Sequence, residues 1–172
     1  MRVLAIGDTT QRERYFPSDA EYTDVGPFDA ALLASTLQTI PRTQVQIALS
    51  NLYEELVDGG RIIVTVPALD WACRDIVTQN DISLGAYMSI YGTEGQPHLS
   101  GFTMLWLRRC LEEVGFIVVE AHTEQFKMQF TMGAVKKEEK AKQHVIIGVK
   151  HQVDAAAALD WLAVSVPEAV MA

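Results

Sequence analysis

Cysteine is scarce in this 172-residue chain: Cys73 and Cys110 stand far apart and show no paired metal-ligand spacing. A disulfide framework is therefore not expected, and both thiols read as reduced and packed. Positive charge is also short, with 14 Lys and Arg against 22 Asp and Glu, a net charge of −8 and a pI near 4.9. This argues against a nucleic-acid or anionic-membrane partner held by a broad basic face, because phosphate binding rests on clustered Lys and Arg. No apolar run approaches the roughly 18 residues of a membrane span. Residues 1–7 are too short for a signal-peptide core, so a cytoplasmic protein is expected. Asp70, Cys73, Asp75 and His98 match no metal-ligand pattern, and no metal is expected.

What is present points to an α/β domain of ordinary size, long enough to bury roughly two thirds of its unfolded surface. Ala30, Ala31, Leu32, Leu33 and Ala34 form a continuous apolar run, which suits a strand covered on both faces of a parallel sheet. Pro41 stands where a helix begins. Val45, Ala48, Leu49, Leu52, Tyr53 and Leu56 then recur at helical spacing as one stripe. Gly59 and Gly60 are expected to close that helix in the left-handed conformation. Ile62, Ile63, Val64 and Val66 follow as a β-branched strand, and strand, helix and strand in that order make a right-handed parallel crossover.

Elsewhere, Arg2 to Ile6 reads as a first strand ending at Gly7, with Asp8, Thr9 and Thr10 as a polar turn. Residues 11–20 look irregular or briefly helical, and Glu21 to Val25 is a short strand broken by Gly26 and Pro27. Asp70 to Gln79 is weakly helical, and Asp81 is expected to cap a helix from Ile82 to Ile90. Residues 91–101 read as a loop. Thr103 caps a helix with Met104, Leu107, Leu111 and Val114 on one face, closed by Gly115. Ile117 to Ala121 and Val145 to Val149 read as two strands that a long middle segment joins as an antiparallel pair. Lys136 to Lys142, KKEEKAK, alternates in sign and reads as a solvated arm. From Asp154 onward, Ala155, Ala158, Leu159, Leu162 and Val166 fall at helical spacing, so residues 152–172 are expected as a helical tail behind a domain of residues 1–151.

The run from Phe28 to Pro67 resembles the latter half of a class I S-adenosylmethionine-dependent methyltransferase. It carries Phe28-Asp29 at a strand start, Leu56 to Arg61 as a Leu-x-x-Gly-Gly-Arg turn, and Val66-Pro67 at a strand end. Tyr91-Gly92, His98, Gly101-Phe102-Thr103 and Leu111 to Phe116 are similar to a later region of small predicted methyltransferases. The resemblance implies a Rossmann-like fold with a mostly parallel sheet, helices on both faces and a C-terminal antiparallel strand pair. It also implies S-adenosylmethionine as cofactor and methyl transfer to an acceptor chosen by loop shape rather than by a readable motif.

The likeness is weakest at the start of the chain. Family members follow their first strand with a Gly-x-Gly-x-Gly-like loop that lets the cofactor approach bare backbone. Here only Gly7 is present. About twenty residues separate it from Phe28, enough for one short strand but not for two strand-helix units. The resemblance carries cofactor contacts onto Gly7, Asp8, Asp24 as a mimic of the ribose-binding acid, and Ser35, Thr36 and Leu37 at the carboxyl end of a core strand. His98 is its candidate base or acceptor-orienting residue, whereas Asp29 reads as structural. Two functions follow: a methyltransferase-like protein with an impaired or absent cofactor site, or a non-catalytic scaffold that uses the fold for protein contacts. In the second, the tail with Trp161 and Leu162 and the Lys136–Lys142 arm would serve a homo-oligomer or a larger assembly.

Overall fold

The computed structural model describes residues 1–7, 12–79, 83–93, 95–132 and 135–151, with the backbone alone for residues 127–132 and 135–140. Asp8, Asp81 and the expected helical tail lie outside the described residues. The sheet is built from β1 (Arg2–Gly7), β2 (Glu21–Tyr22), β3 (Phe28–Ala34), β4 (Leu56–Pro67), β7 (Phe116–Met132) and β8 (Val135–Lys150), in the order β2-β1-β3-β4-β8-β7. The first four strands are parallel, and β8 and β7 continue the sheet antiparallel. The mixed α/β class expected from the apolar run and the crossover is the class observed.

Strand β3 occupies the centre because it has no polar face: Ala30, Ala31, Leu32 and Ala34 are fully buried and Leu33 nearly so. One face of the sheet is covered by α2 (Arg42–Glu55) and α5 (Met104–Val114). Val45, Leu49 and Leu52 from the first helix and Leu107 and Leu111 from the second meet Ile62, Val64 and Val66 there. The other face carries α1 (Arg12–Tyr15) and the following Phe16, which pack on Val3, Leu32 and Ile63. Arg14 of α1 pairs with Glu124 of β7, and Gln143 of β8 donates to the same carboxylate at 2.7 Å. Past β4 come α3 (Leu69–Gln79) and α4 (Leu84–Tyr91), packed on each other, with α4 against β8. No helix among the described residues is long and apolar enough to cross a membrane.

Several local expectations shift. Helix α2 ends at Glu55, four residues before the glycines, because Leu56 enters register opposite Phe28 and its side chain joins the core. Gly59 still adopts φ +72°, but in the irregular stretch that realigns β4 before Arg61 pairs with Ala30. The cap of α4 is Ser83, whose Oγ accepts from Ala86 N at 3.1 Å and donates to Asp75 Oδ2 at 2.6 Å. The loop of residues 91–101 holds a small hairpin of β5 (Gly92–Thr93) and β6 (Gln96–Pro97). The short second strand shrinks to Glu21–Tyr22. The largest change concerns β7 and β8: the two expected strands are the inner parts of one long hairpin, and the supposed solvated arm is strand.

Helix α5 follows its local signals. Thr103 Oγ1 accepts from Trp106 N at 3.2 Å, and Gly115 closes the helix at φ +114° with its N–H on Leu111 O and Glu112 O. At the start of the sheet, Asp29 Oδ2 accepts from Arg2 N at 2.6 Å and fixes the entry of β1 beside β3. An Asp29→Ala change leaves that N–H unpaired and is expected to lower stability by about 1–2 kcal/mol, measurable as a shift in the urea midpoint with an unchanged slope.

Candidate functional site

Strand β1 leads through α1 to β2 on one side, while β3 lies on its other side and leads through α2 to β4. The connections from β1 and β3 therefore diverge, and open parallel sheets bind ligands in the crevice outside the carboxyl ends at such a point. Three of the residues singled out from the sequence meet there. Gly7 ends β1 at φ +93°, and a Cβ on it would fall 1.8 Å from Ala34 O and 2.4 Å from Thr36 Oγ1. Its missing side chain thus serves the contact between two strand ends. Thr36 Oγ1 lies 3.1 Å from Ile6 O and 3.2 Å from Ala34 O, so its single proton ties the ends of β1 and β3 together. Ser35 adopts φ +51°, a left-handed conformation costing about 1–2 kcal/mol for a non-glycine residue, held by its N–H on Thr65 O at 2.9 Å. Leu37 is fully buried in the core, facing α2 rather than the crevice.

Gln38 joins this edge to the loop that carries His98. Its carbonyl accepts from Leu99 N at 2.7 Å and Ser100 N at 3.0 Å, and Ser100 Oγ donates to Ile40 O at 2.7 Å. The Gln38 side chain is buried, and its Oε1 meets no donor among the described residues; the buried Thr65 Oγ1 on β4 is unpartnered in the same sense. His98 Nδ1 stands 3.0 Å from Ser89 O. A carbonyl only accepts, so Nδ1 carries the proton and Nε2 keeps a lone pair. Burial holds this imidazole below its ordinary pKa, and the Ser89 hydrogen bond partly opposes that.

Asp24 is not brought to the group. Arg2 and Val3 pair with Glu21 and Tyr22, and Thr23 N donates to Val3 O, so β2 runs beside only the first part of β1. Thr23, level with Leu4, thus stands about 10 Å below Gly7 along the strand, and Val25 O beyond it accepts from the Arg2 guanidinium. A second cluster gave no signal in the sequence, because only the β7–β8 register assembles it. His144, fully buried on β8 opposite Val66, has Nε2 2.7 Å from Asp70 Oδ1 and Nδ1 2.8 Å from Thr123 Oγ1. This close contact is an ion pair only when His144 is protonated. Burial lowers the His144 pKa and Asp70 opposes the shift.

No protein-family model and no curated protein sequence matches the chain. Solved structures do. A protein of Bacillus halodurans C-125 described as a candidate methyltransferase matches at TM-score 0.55 and 11% identity, over 88% of this chain and 92% of the other. The 1,6-didemethyltoxoflavin-N1-methyltransferase of Burkholderia thailandensis, solved with S-adenosylhomocysteine, matches at 0.52 and 15% over 88% and 71%. A chain from the complex of the Haloferax volcanii Trm112 methyltransferase activator with its candidate methyltransferase matches at 0.52 and 9% over 89% and 83%. The chain has the class I methyltransferase fold. At these identities the likeness is one of fold.

Within the methyltransferase fold, the described residues fit S-adenosylmethionine only in part. Gln38 Oε1 is a buried acceptor with no donor, as an N–H-bearing ligand would require. Among the described residues, β2 ends at Tyr22, level with Val3, so its ladder carries no acid to the level of Gly7 that could hold a ribose.

Two outcomes are expected. Gly7→Ala forces a Cβ into Ala34 O at an unfavourable φ, and a loss of about 2–4 kcal/mol is expected by chemical denaturation. The buried His144 and the half-buried His98 give a pH dependence. Both fold with pKa values below 6.5, so the unfolded chain takes up protons first as the pH falls through that value. Stability is therefore complete above about pH 7 and declines on acidification below about pH 6.5. Melting temperatures across that range should show the fall, with a shallower slope in His144→Asn.

Proposed function

We propose that this chain is a methyltransferase-fold protein with a reduced S-adenosylmethionine site. The observation that carries the reading is the placement of β2: two residues long and level with the start of β1, it brings no acid to the crevice. Gly7, whose bare Cα is occupied by the contact with Ala34, supports the same conclusion, because it does not leave open backbone for a ligand. Beyond the Thr36 hydroxyl, which the two strand ends occupy, the buried Gln38 Oε1 has no donor among the described residues, and the ammonium group at the amino-acid end of the cofactor would supply one.

S-adenosylmethionine supplies an electrophilic methyl group when bound. Methyl transfer then asks of the protein chiefly alignment, and little side-chain chemistry. His98, neutral and held by Ser89, offers Nε2 as a proton acceptor for the methyl-accepting group.

Titration calorimetry with S-adenosylhomocysteine tests the reduced site. Binding weaker than about 100 μM is expected, close to −5.5 kcal/mol, and weaker still in Gln38→Leu. A dissociation constant in the low micromolar range would overturn the reading. A second reading, a non-catalytic scaffold for protein contacts, is favoured by the long two-stranded extension of β7 and β8. Calorimetry with no heat up to millimolar ligand supports that reading over the first.

A further inference from the structure

Beyond the end of β4 the β7–β8 pair runs on with no third strand among the described residues. The last ladder pair of β4 joins Pro67 to Gln143, with Ala68 N on Lys142 O at 2.9 Å, whereas β7 and β8 stay in register as far as Met132 and Val135. At about 3.3 Å per residue, positions 135–142 form a ribbon about 26 Å long. Its composition differs sharply from the rest of the chain. Five of the six lysines, Lys127, Lys136, Lys137, Lys140 and Lys142, fall between residues 125 and 142. With Glu138 and Glu139 the segment has a net charge of +3, which leaves −11 on the remainder of a chain of net charge −8.

The register also divides the ribbon by face. Positions 126, 128, 130 and 132, which are Phe, Met, Phe and Met, alternate along β7 and so share one face, with Lys137 opposite Phe130 and Glu139 opposite Met128, while Lys127, Lys136, Lys140 and Lys142 fall at positions of the other face. A two-stranded ribbon is marginally stable by itself in water, so one of this length with an apolar row calls for a surface to lie on.

We propose that the ribbon is an association arm that docks on the acidic body of a second copy of this chain. Charge complementarity selects the occupant. The described residues outside the arm carry a net charge of −5, so two such bodies repel one another, and a +3 arm is a segment that each copy can present to the other with attraction. Because both copies own an arm and an acidic body, reciprocal exchange closes the assembly at two. Nucleic acid is the less suitable partner, since the same acidic body that attracts a second arm repels a phosphate backbone.

Sedimentation velocity on the full chain tests this. A dimer is expected at low salt, dissociating as salt is raised. The triple charge reversal Lys136→Glu, Lys137→Glu and Lys140→Glu should weaken it at least about tenfold with an unchanged circular-dichroism spectrum. Phe130→Thr keeps the strand preference and removes an apolar position, and should weaken association without touching charge. Three results would overturn the proposal: a wild-type monomer at all concentrations, a dimer indifferent to both variants, or a monomer that binds a fluorescein-labelled single-stranded oligonucleotide through these lysines.

Discussion

Burying β3 on both faces is the constraint from which the rest of the architecture follows. A strand of Ala30, Ala31, Leu32, Leu33 and Ala34 offers no side chain to water, so it needs a strand on either edge and cover above and below. Strands β1 and β4 supply the edges, α2 and α5 cover one face, and α1 with Phe16 covers the other. Each leucine fully buried in this way contributes about 2 kcal/mol. Alanine contributes less, but it lets the helices and neighbouring strands come close. The same small residues bring the carboxyl ends of β1 and β3 together so tightly that only glycine fits at position 7.

That tight closure shapes the functional edge. Open parallel sheets bind ligands where neighbouring connections diverge, and here the ends of β1 and β3 are tied by the Thr36 hydroxyl to Ile6 O and Ala34 O. Donors and acceptors that could face a ligand are partly consumed by this internal bonding, and the ones left over sit one step further along, at Gln38 and Thr65. The His98 loop reaches the same edge through two hydrogen bonds to the Gln38 carbonyl. A single backbone oxygen thus positions the glycine-rich loop against the end of β3, and the neutrality of His98 follows from the burial that this docking imposes.

The second half of the sheet follows a different logic. Strands β7 and β8 are stitched to the core by Val145, Ile146 and Val149, and to α3 and α1 by His144 and Glu124. Burial alone would raise the Glu124 pKa, but its hydrogen bonds to Arg14 and Gln143 bring it below the ordinary carboxylate value, so it stays charged where α1 meets the ribbon. Beyond that clamp the hairpin leaves the sheet, and its charge changes sign relative to the rest of the chain.

The sequence by itself determined the elements whose signals are local. The apolar run of β3, the stripe of Val45, Leu49 and Leu52, and the Thr103 and Gly115 ends of α5 each follow from residues within a few positions of one another. The resemblance over residues 28–121 led to the fold for the same reason, since its motifs lie within contiguous segments. What only the tertiary structure decided depends on pairing between distant segments. Register against β1 sets Asp24 away from the crevice, and register against Phe28 ends α2 at Glu55 although two glycines stand downstream. Register between β7 and β8, about twenty residues apart in sequence, joins Thr123 to His144 and turns an alternating-charge segment into a strand. Hydrogen-bonded partners across a sheet are chosen by the whole packed core, and no stretch of sequence read alone contains that choice.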